Sequence, residues 1–134
     1  MSSIITITPN PCVDKSTTIS GLQPDKKLRC SRPKFEAGGG GINVSRAIHK
    51  LKGFSTALYL AGGHTGIFLN KLLQEENIQS IVINTKENTR ENFIVVDELT
   101  NNQYRFCMPG PFHYENRTEL CKPEDVEELF RTLM

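Results

Sequence analysis

The sequence lacks several features that would assign a protein to a class at once. No apolar run approaches the roughly 20 residues that a membrane-spanning helix needs, and the first eight residues do not form a signal peptide. Sixteen Lys and Arg against fifteen Asp and Glu leave the 134 residues with a formal charge of +1. Non-specific nucleic-acid binding needs a basic surface, so this balance argues against it. We therefore expect a soluble, cytoplasmic protein that binds neither membrane nor nucleic acid.

Metal-binding and disulfide patterns are also missing. The four cysteines are widely spaced and form no C-x-x-C pair, and the three histidines show no H-E-x-x-H spacing. A zinc site or a disulfide framework is therefore not expected, and the cysteines are interpreted as reduced thiols.

The sequence does contain an alternation of strand and helix patterns. Short β-prone runs predict strands at residues 4–8, 55–61 and 81–83. Between them lie two amphipathic helices, with apolar positions at Val44, Ala47, Ile48 and Leu51 and at Phe68, Leu69, Leu72 and Leu73. The order β-α-β-α-β is typical of a parallel sheet with helical crossovers.

Two further pairs of strands interrupt or follow this alternation. Strands are predicted at residues 15–20 and 27–34, and a hairpin at residues 93–99 and 104–108. A last helix begins near Lys122-Pro123, with Val126, Leu129, Phe130 and Leu133 on its apolar face. The predicted fold class is α/β, with a partial, Rossmann-like parallel sheet and a small antiparallel sheet built from the two hairpins.

Four consecutive glycines, Gly38, Gly39, Gly40 and Gly41, stand directly before the first helix. Because four glycines are costly in backbone entropy, a bare backbone must be needed there. An anion or polyol site at the helix N-terminus would explain them, and a flexible loop is the alternative. Neither the Rossmann glycine pattern, whose last position falls on Asn43, nor the Walker A pattern matches.

Several segments together resemble the N-terminal half of the ribokinase/PfkB carbohydrate kinases. They are Asn-Pro-Cys-Val-Asp at residues 10–14, the glycine-rich segment at 35–47 and Ala-Gly-Gly-His-Thr-Gly at 61–66. Segments 27–30, 89–92 and 103–110 most resemble that family's 6-phosphofructokinase branch, isozyme II. The resemblance implies a ribokinase-like core at about residues 1–11, 38–84 and 112–134. The hairpins, at about 12–37 and 88–110, would form a β-lid that covers the sugar site and builds a homodimer interface.

The same resemblance implies a kinase that uses ATP and Mg²⁺ to phosphorylate fructose 6-phosphate to fructose 1,6-bisphosphate, a step of glycolysis. Asp14, the four glycines and Asn43 would hold the sugar, and Arg90 and Arg105 its phosphate. Lys27 would lie near the phosphoryl groups of ATP. From the residues alone, Asp14 could equally form a turn after Pro11, and Asn43 could serve only as a helix-start residue.

In this family the general base is the aspartate of a Gly-x-Gly-Asp motif, and the sequence contains no Gly-Asp pair. No catalytic residue or metal ligand is therefore assigned in this chain, and neither the ATP site nor the Mg²⁺ site is expected to be complete. Two alternatives stay open. The chain could be a non-catalytic, truncated fragment that binds sugar phosphate or dimerises, or its substrate could be tagatose 6-phosphate or fructose 1-phosphate.

Overall fold

The computed structural model describes residues 3–110 and Arg131. Seven strands and two helices follow one another along this part of the chain: β1 (Ile4–Thr8), β2 (Cys12–Ile19), β3 (Lys34–Gly38), α1 (Gly40–Lys50), β4 (Ser55–Gly62), α2 (Gly63–Glu75), β5 (Ser80–Thr85), β6 (Arg90–Asp97) and β7 (Asn102–Phe106). The helix predicted from residue 122 onward lies outside the described residues.

The core is a parallel sheet of three strands in the order β1-β4-β5. Its central strand β4 is buried from Ala57 to Gly62, as expected for a parallel strand covered on both faces. Tyr59 on one face of β4 packs in a buried cluster with Ile42 of α1 and Leu69 of α2. Both helices therefore cover the same face, and the predicted parallel sheet with helical crossovers is confirmed. The two described helices, of 11 and 13 residues, are too short to cross a bilayer.

The buried face of α1 differs from the predicted one. Val44 is 51% exposed and Leu51 is 83% exposed, whereas Ile42 and Ser45 are buried. The Ser45 hydroxyl lies 2.7 Å from the Thr6 hydroxyl of β1, so the helix meets the sheet through a hydrogen bond inside the core. Apolar periodicity cannot reveal a contact between two hydroxyl groups, and the predicted stripe was wrong for this reason.

The second sheet, which we call the lid sheet, has the strand order β3-β2-β6-β7. Strands β2 and β3 pair antiparallel, as do β6 and β7, and the two hairpins are joined through a parallel pair of β2 and β6. The sheet is thus mixed rather than purely antiparallel as predicted. The two central strands of this sheet, β2 and β6, start side by side, with Cys12 opposite Arg90. Because both run away from the core in the same direction, they pair in parallel.

One lid strand lies later in the chain than predicted. The strand expected at residues 27–34 is found at Lys34–Gly38, and residues 20–33 contain no strand. Pro33 has no backbone N–H to donate to a ladder. Directly after it, Phe35 and Ala37 point to the more buried side of β3 while Lys34 and Glu36 are exposed, which is the period of two that a strand requires.

The lid sheet is anchored on the core at one end. Val13 and Ala37 belong to the same buried cluster as Leu69 of α2. The Phe35 ring meets the Phe68 ring edge to face, with the ring centroids 5.2 Å apart. The base of the lid sheet is therefore continuous with the core.

Candidate functional site

One face of the lid sheet collects polar side chains, and we call it the Asp14 face. Residues directly opposite each other in neighbouring strands project to the same side of a sheet. The register places Asp14 between Glu36 of β3 and Asn92 of β6, and it places Cys12 beside Arg90. Two acids, an amide and a guanidinium from three strands thus share one surface.

Asp14 lies against the end of β3. A Cβ atom added to Gly38 would lie 2.6 Å from Asp14 Oδ2, so the carboxylate sits directly beside the bare backbone of Gly38. The other carboxylate oxygen, Oδ1, accepts a hydrogen bond from the Cys12 thiol at 3.3 Å. The fold therefore brings Asp14 beside the first of the four glycines.

The four glycines, residues 38–41, form what we call the glycine turn between β3 and α1. Gly39 has a φ of 135°, which favours glycine, and an added Cβ would lie 2.5 Å from Thr8 Cγ2. A Cβ on Gly41 would lie 2.5 Å from Thr8 Oγ1. Apart from its chain neighbours and the backbone of its own helix, no described residue lies within 4 Å of a Cβ added to Gly40. Packing within the protein thus explains three of the glycines, and only Gly40 borders open space.

The N-terminus of α1 begins at the glycine turn. Its N-cap residue, Gly39, supplies no side-chain hydrogen bond, and no acidic residue stands in the first turn. Thr8, at the end of β1, provides a substitute, because its hydroxyl accepts a hydrogen bond from the Ile42 N–H at 3.1 Å. The positive end of this helix therefore remains uncompensated by a carboxylate of its own first turn.

Asn43 is exposed on the first turns of α1, and its side-chain oxygen accepts a hydrogen bond from Arg46 Nη1 at 2.8 Å. Arg46 also donates from Nε to Glu76 Oε1 at 2.7 Å and from Nη2 to the Ala37 carbonyl at 2.6 Å. The hydrogen bond to Glu76 is the main cause that raises the pKa of Arg46, and the nearby charge of Asp14 also raises it. Arg46 thus joins α1, β3 and the end of α2 next to the candidate sugar site.

Arg90 and Arg105 lie on the Asp14 face but are not brought together. Arg90 donates to the carbonyl of Asn10 at 3.2 Å and to that of Met108 at 3.4 Å. Arg105 is exposed on β7 opposite Ile94, four positions farther along the sheet than Arg90. At about 3.3 Å per residue their backbones are roughly 13 Å apart along the strands. Only their long side chains could converge on one phosphate group.

Lys27 is exposed in the loop of residues 20–33. It makes no hydrogen bond or ion pair with any described residue, the other predicted site residues included. Within residues 3–110, no three His, Cys, Asp or Glu side chains are arranged so that they could hold a metal ion.

Sequence reasoning missed four residues of this region: Cys12, Glu36, Arg46 and Glu76. Burial, followed by the neighbouring charge of Asp14, raises the pKa of the Cys12 thiol to about 12, so this thiol is neutral. Cys12 and Glu36 could have been found from the sequence, because side chains two positions apart in a strand share a face. Cys12 lies two residues before Asp14, and Glu36 lies two residues before Gly38. Arg46 and Glu76 are 30 positions apart in the chain, and no local pattern signals their pairing.

A separate concavity of about 280 Å³ opens at the carboxyl ends of β4 and β5 and the start of α2. Gly62, His64, Asn70 and Thr85 are among the residues that line it. Ligands of open α/β sheets commonly bind at this edge. None of the residues predicted to hold the sugar phosphate contributes to its lining.

Comparison with known proteins agrees with this architecture. The model of the pfkB family carbohydrate kinases matches residues 3–130. The ATP-dependent 6-phosphofructokinase isozyme 2 of Mycobacterium tuberculosis is 45% identical over 121 residues, and that of Escherichia coli K12 is 47% identical over 110 residues. These alignments cover 90% and 82% of this chain but 36% of each relative, so the chain spans about a third of their length.

Solved structures give the same result. Phosphofructokinase-2 from Escherichia coli in complex with fructose 6-phosphate matches with a TM-score of 0.86 at 40% identity, over 98% of this chain and 41% of that one. A phosphofructokinase described as putative, from Staphylococcus aureus, matches with a TM-score of 0.80 at 32% identity, over 96% of this chain and 39% of that one. The chain belongs to the pfkB family of carbohydrate kinases, transferases that phosphorylate a sugar hydroxyl.

Proposed function

We propose that this chain provides the acceptor-binding part of an ATP-dependent 6-phosphofructokinase, which converts fructose 6-phosphate to fructose 1,6-bisphosphate. The observation that carries the proposal is the position of the Asp14 carboxylate beside the glycine turn, where Gly40 borders open space. Relatives named ATP-dependent 6-phosphofructokinase isozyme 2 are 45–47% identical, whereas those named 1-phosphofructokinase, from Haloferax volcanii and Bacillus subtilis among others, are 32–37% identical. This difference favours fructose 6-phosphate over fructose 1-phosphate.

In this proposal Asp14 and the glycine turn hold the sugar ring. The carboxylate accepts hydrogen bonds from sugar hydroxyls, and Gly40 lets the sugar approach the backbone at the positive end of α1. Asn43, exposed one turn farther along the helix, offers its amide to the same ligand.

The sugar's phosphate goes to the arginines. Arg105 is exposed and suits a phosphate because a guanidinium can donate two parallel hydrogen bonds to it. Arg90 is held by the carbonyls of Asn10 and Met108, which lie just before β2 and just after β7. Its Nε is buried without a hydrogen-bond partner in the described structure. We therefore assign Arg90 a positive charge fixed at the base of the lid and Arg105 the direct contact with phosphate.

The phosphoryl donor in this proposal is ATP, and Mg²⁺ would neutralise part of its charge. The described residues offer no cluster of ligands for the metal. Lys27 is the residue of this chain that we place nearest the phosphoryl groups of ATP, on a loop whose exposure leaves it free to reach them. The general base and the remaining ATP contacts are assigned to no residue of this chain.

We also propose that the chain forms a homodimer through the lid. The face opposite Asp14 carries an aromatic row, Phe35, Phe93 and Phe106, with Lys15 Nζ within 6 Å of the first two ring centroids. Phe35 packs on Phe68 of the same chain, so Phe93 and Phe106 are the part of the row left for a second lid. Phe106, on the edge strand β7, is 49% exposed. A tetrameric inhibited form of phosphofructokinase-2 from Escherichia coli, 40% identical, supports oligomerisation in this family.

Calorimetric titration with fructose 6-phosphate tests the acceptor site. We expect saturable binding by the unaltered chain, with affinity reduced at least about tenfold in Asp14→Asn and in Arg105→Ala, since each loses a charged hydrogen-bond partner. Gln103→Ala, on the same strand and face as Arg105, is the matched control and should bind normally. If fructose 1-phosphate binds more tightly, it replaces fructose 6-phosphate as the proposed substrate. If the folded chain binds neither sugar phosphate, the acceptor site is refuted.

A further inference from the structure

We propose that Arg46, held in place by Glu76, fixes the side-chain amide of Asn43 with its nitrogen directed to the acceptor sugar. Arg46 and Glu76 are then positioning residues that set sugar affinity without touching the sugar. The inference rests on the proposed acceptor site. It implies that the end of α2, whose C-cap residue is Glu76, influences the affinity of that site for the sugar.

The orientation of the Asn43 amide follows from the chemistry of its neighbour. A guanidinium has five N–H donors and no acceptor. The atom of Asn43 that lies 2.8 Å from Arg46 Nη1 must therefore be the oxygen Oδ1. The NH₂ group then points away from Arg46, and no residue of the described chain accepts a hydrogen bond from it.

This orientation complements Asp14. The Asp14 carboxylate can only accept hydrogen bonds, while the outward NH₂ group of Asn43 can only donate them. A sugar hydroxyl both donates and accepts, so one side chain can serve each of its two functions. If the amide turned by 180°, both side chains would offer acceptors, and one sugar lone pair would lose its donor.

Glu76 determines where the Arg46 guanidinium points. Its two carboxylate oxygens accept from Nε at 2.7 Å and from Nη2 at 3.0 Å, a two-point contact that fixes the plane of the guanidinium. The side chains of Arg46 and Glu76 are 20% and 37% exposed, so this contact is partly shielded from solvent. Without Glu76, Arg46 keeps only single hydrogen bonds to the Ala37 carbonyl and to Asn43, and its plane can rotate.

Glu76 could instead act on the sugar site through Ala37 and the lid, so the experiment separates the two routes. It is a double-mutant cycle on fructose 6-phosphate affinity with Glu76→Ala and Asn43→Ala. We expect Asn43→Ala to weaken binding about tenfold and Glu76→Ala about three- to tenfold. In the Asn43→Ala background, Glu76→Ala should change affinity by less than about twofold, because the amide that it orients is gone.

The neighbouring acid provides a matched control. Within the described part of the chain, Glu75 pairs with the exposed Lys71 alone, at 3.9 Å, so Glu75→Ala removes the same charge from the next position without touching Arg46. It should leave the affinity unchanged within about twofold in both backgrounds. If Glu76→Ala does not fold, Glu76→Gln, which keeps one acceptor oxygen for Nε, takes its place in the cycle. An equal effect of the Glu76 substitution in both backgrounds, or no effect, would overturn the inference.

A measurement without ligand decides the inference even if fructose 6-phosphate does not bind. Nitrogen-15 relaxation of the Asn43 side-chain amide should show a rigid group, which becomes mobile, with an order parameter below about 0.6, in Glu76→Ala but not in Glu75→Ala. An amide that stays equally rigid without Glu76 contradicts the positioning role. Failure of the unaltered chain to bind any sugar phosphate would instead contradict the proposed function.

Discussion

Gly40 and Gly41 are neighbours in the first turn of α1, yet a side chain would meet different surroundings at the two positions. Within the described structure, a methyl group on Gly40 meets nothing within 4 Å, whereas one on Gly41 would lie 2.5 Å from Thr8 Oγ1 and 2.7 Å from the Ile7 carbonyl oxygen. We expect Gly40→Ala to leave stability unchanged or raise it by up to about 1 kcal/mol, because alanine favours a helix. It should weaken fructose 6-phosphate binding at least about tenfold by occupying the sugar's approach to the backbone.

Gly41→Ala is the matched substitution and should behave in the opposite way. Its methyl group must displace β1 or the start of α1, and such overpacking costs about 1–3 kcal/mol of stability. Urea unfolding gives the stability of both variants, and calorimetry gives their affinity. The ligand explanation of Gly40 fails if Gly40→Ala binds fructose 6-phosphate as tightly as the unaltered chain does.

Single residues also show what the sequence could reveal about the site. The glycine turn, Asp14 and Asn43 were singled out because each lies in a short motif of consecutive residues, at 10–14 or at 35–47. The pairing of Arg46 with Glu76 depends on how α1 and α2 pack side by side, which no local pattern encodes. The roles of Arg90 and Arg105 were predicted together, but the register of β6 and β7 separates them along the sheet.

At the scale of elements, Asp97 connects the two hairpins of the lid sheet. It ends β6 and is 5% exposed, and its carboxylate accepts hydrogen bonds from the N–H groups of Gly21 and Leu22, which follow β2, and of Leu99. These backbone hydrogen bonds lower the pKa of Asp97, and the one from Leu22 has the largest effect. Burial acts in the opposite direction. The ionised carboxylate therefore stabilises the folded state.

The sign of the pH dependence follows from that lowered pKa. Stability from Asp97 is fully present above its unfolded pKa of about 3.9 and is lost as pH falls through the lower folded value. We expect Asp97→Asn to be less stable at pH 7 and to lose less of its free energy of unfolding between pH 5 and pH 3. Urea titrations across that range measure the difference. Asp25 is an exposed acid in the loop between β2 and β3, and Asp25→Asn should show the same dependence of unfolding free energy on pH as the unaltered chain. If the curve for Asp97→Asn also runs parallel to that of the unaltered chain, the role of the Asp97 carboxylate is contradicted.

The elements themselves were largely predictable. Strands β1, β4 and β5 and helix α2 were located because continuous apolar runs and a helical period are strong local signals. The position of β3 and the mixed pairing of the lid sheet were not. Both depend on where the chain leaves the core, since β2 and β6 begin side by side at Cys12 and Arg90, 78 positions apart.

At the scale of the whole molecule, the two sheets divide the chemistry between them. The core sheet presents the glycine turn and the N-terminus of α1, and the lid sheet holds Asp14 beside that turn, with Arg90 and Arg105 farther out on the same face. The opposite face of the lid sheet is aromatic and leaves Phe106 half exposed. A lid with one polar and one aromatic face can bind a sugar phosphate on the first and a second lid on the other.

The aromatic face predicts the oligomeric state. We expect the unaltered chain to sediment as a dimer at micromolar concentration, because two aromatic rows packed together remove their apolar surface from water. Phe106→Lys should weaken dimerisation at least about tenfold, since dimerisation would bury a charge in that row. Gln103→Lys adds the same charge to β7 but on the Asp14 face, and it should leave the dimer intact. Sedimentation equilibrium compares the dimerisation of the three proteins. If all three are monomers, or if both lysine substitutions weaken the dimer equally, the aromatic face is not the interface.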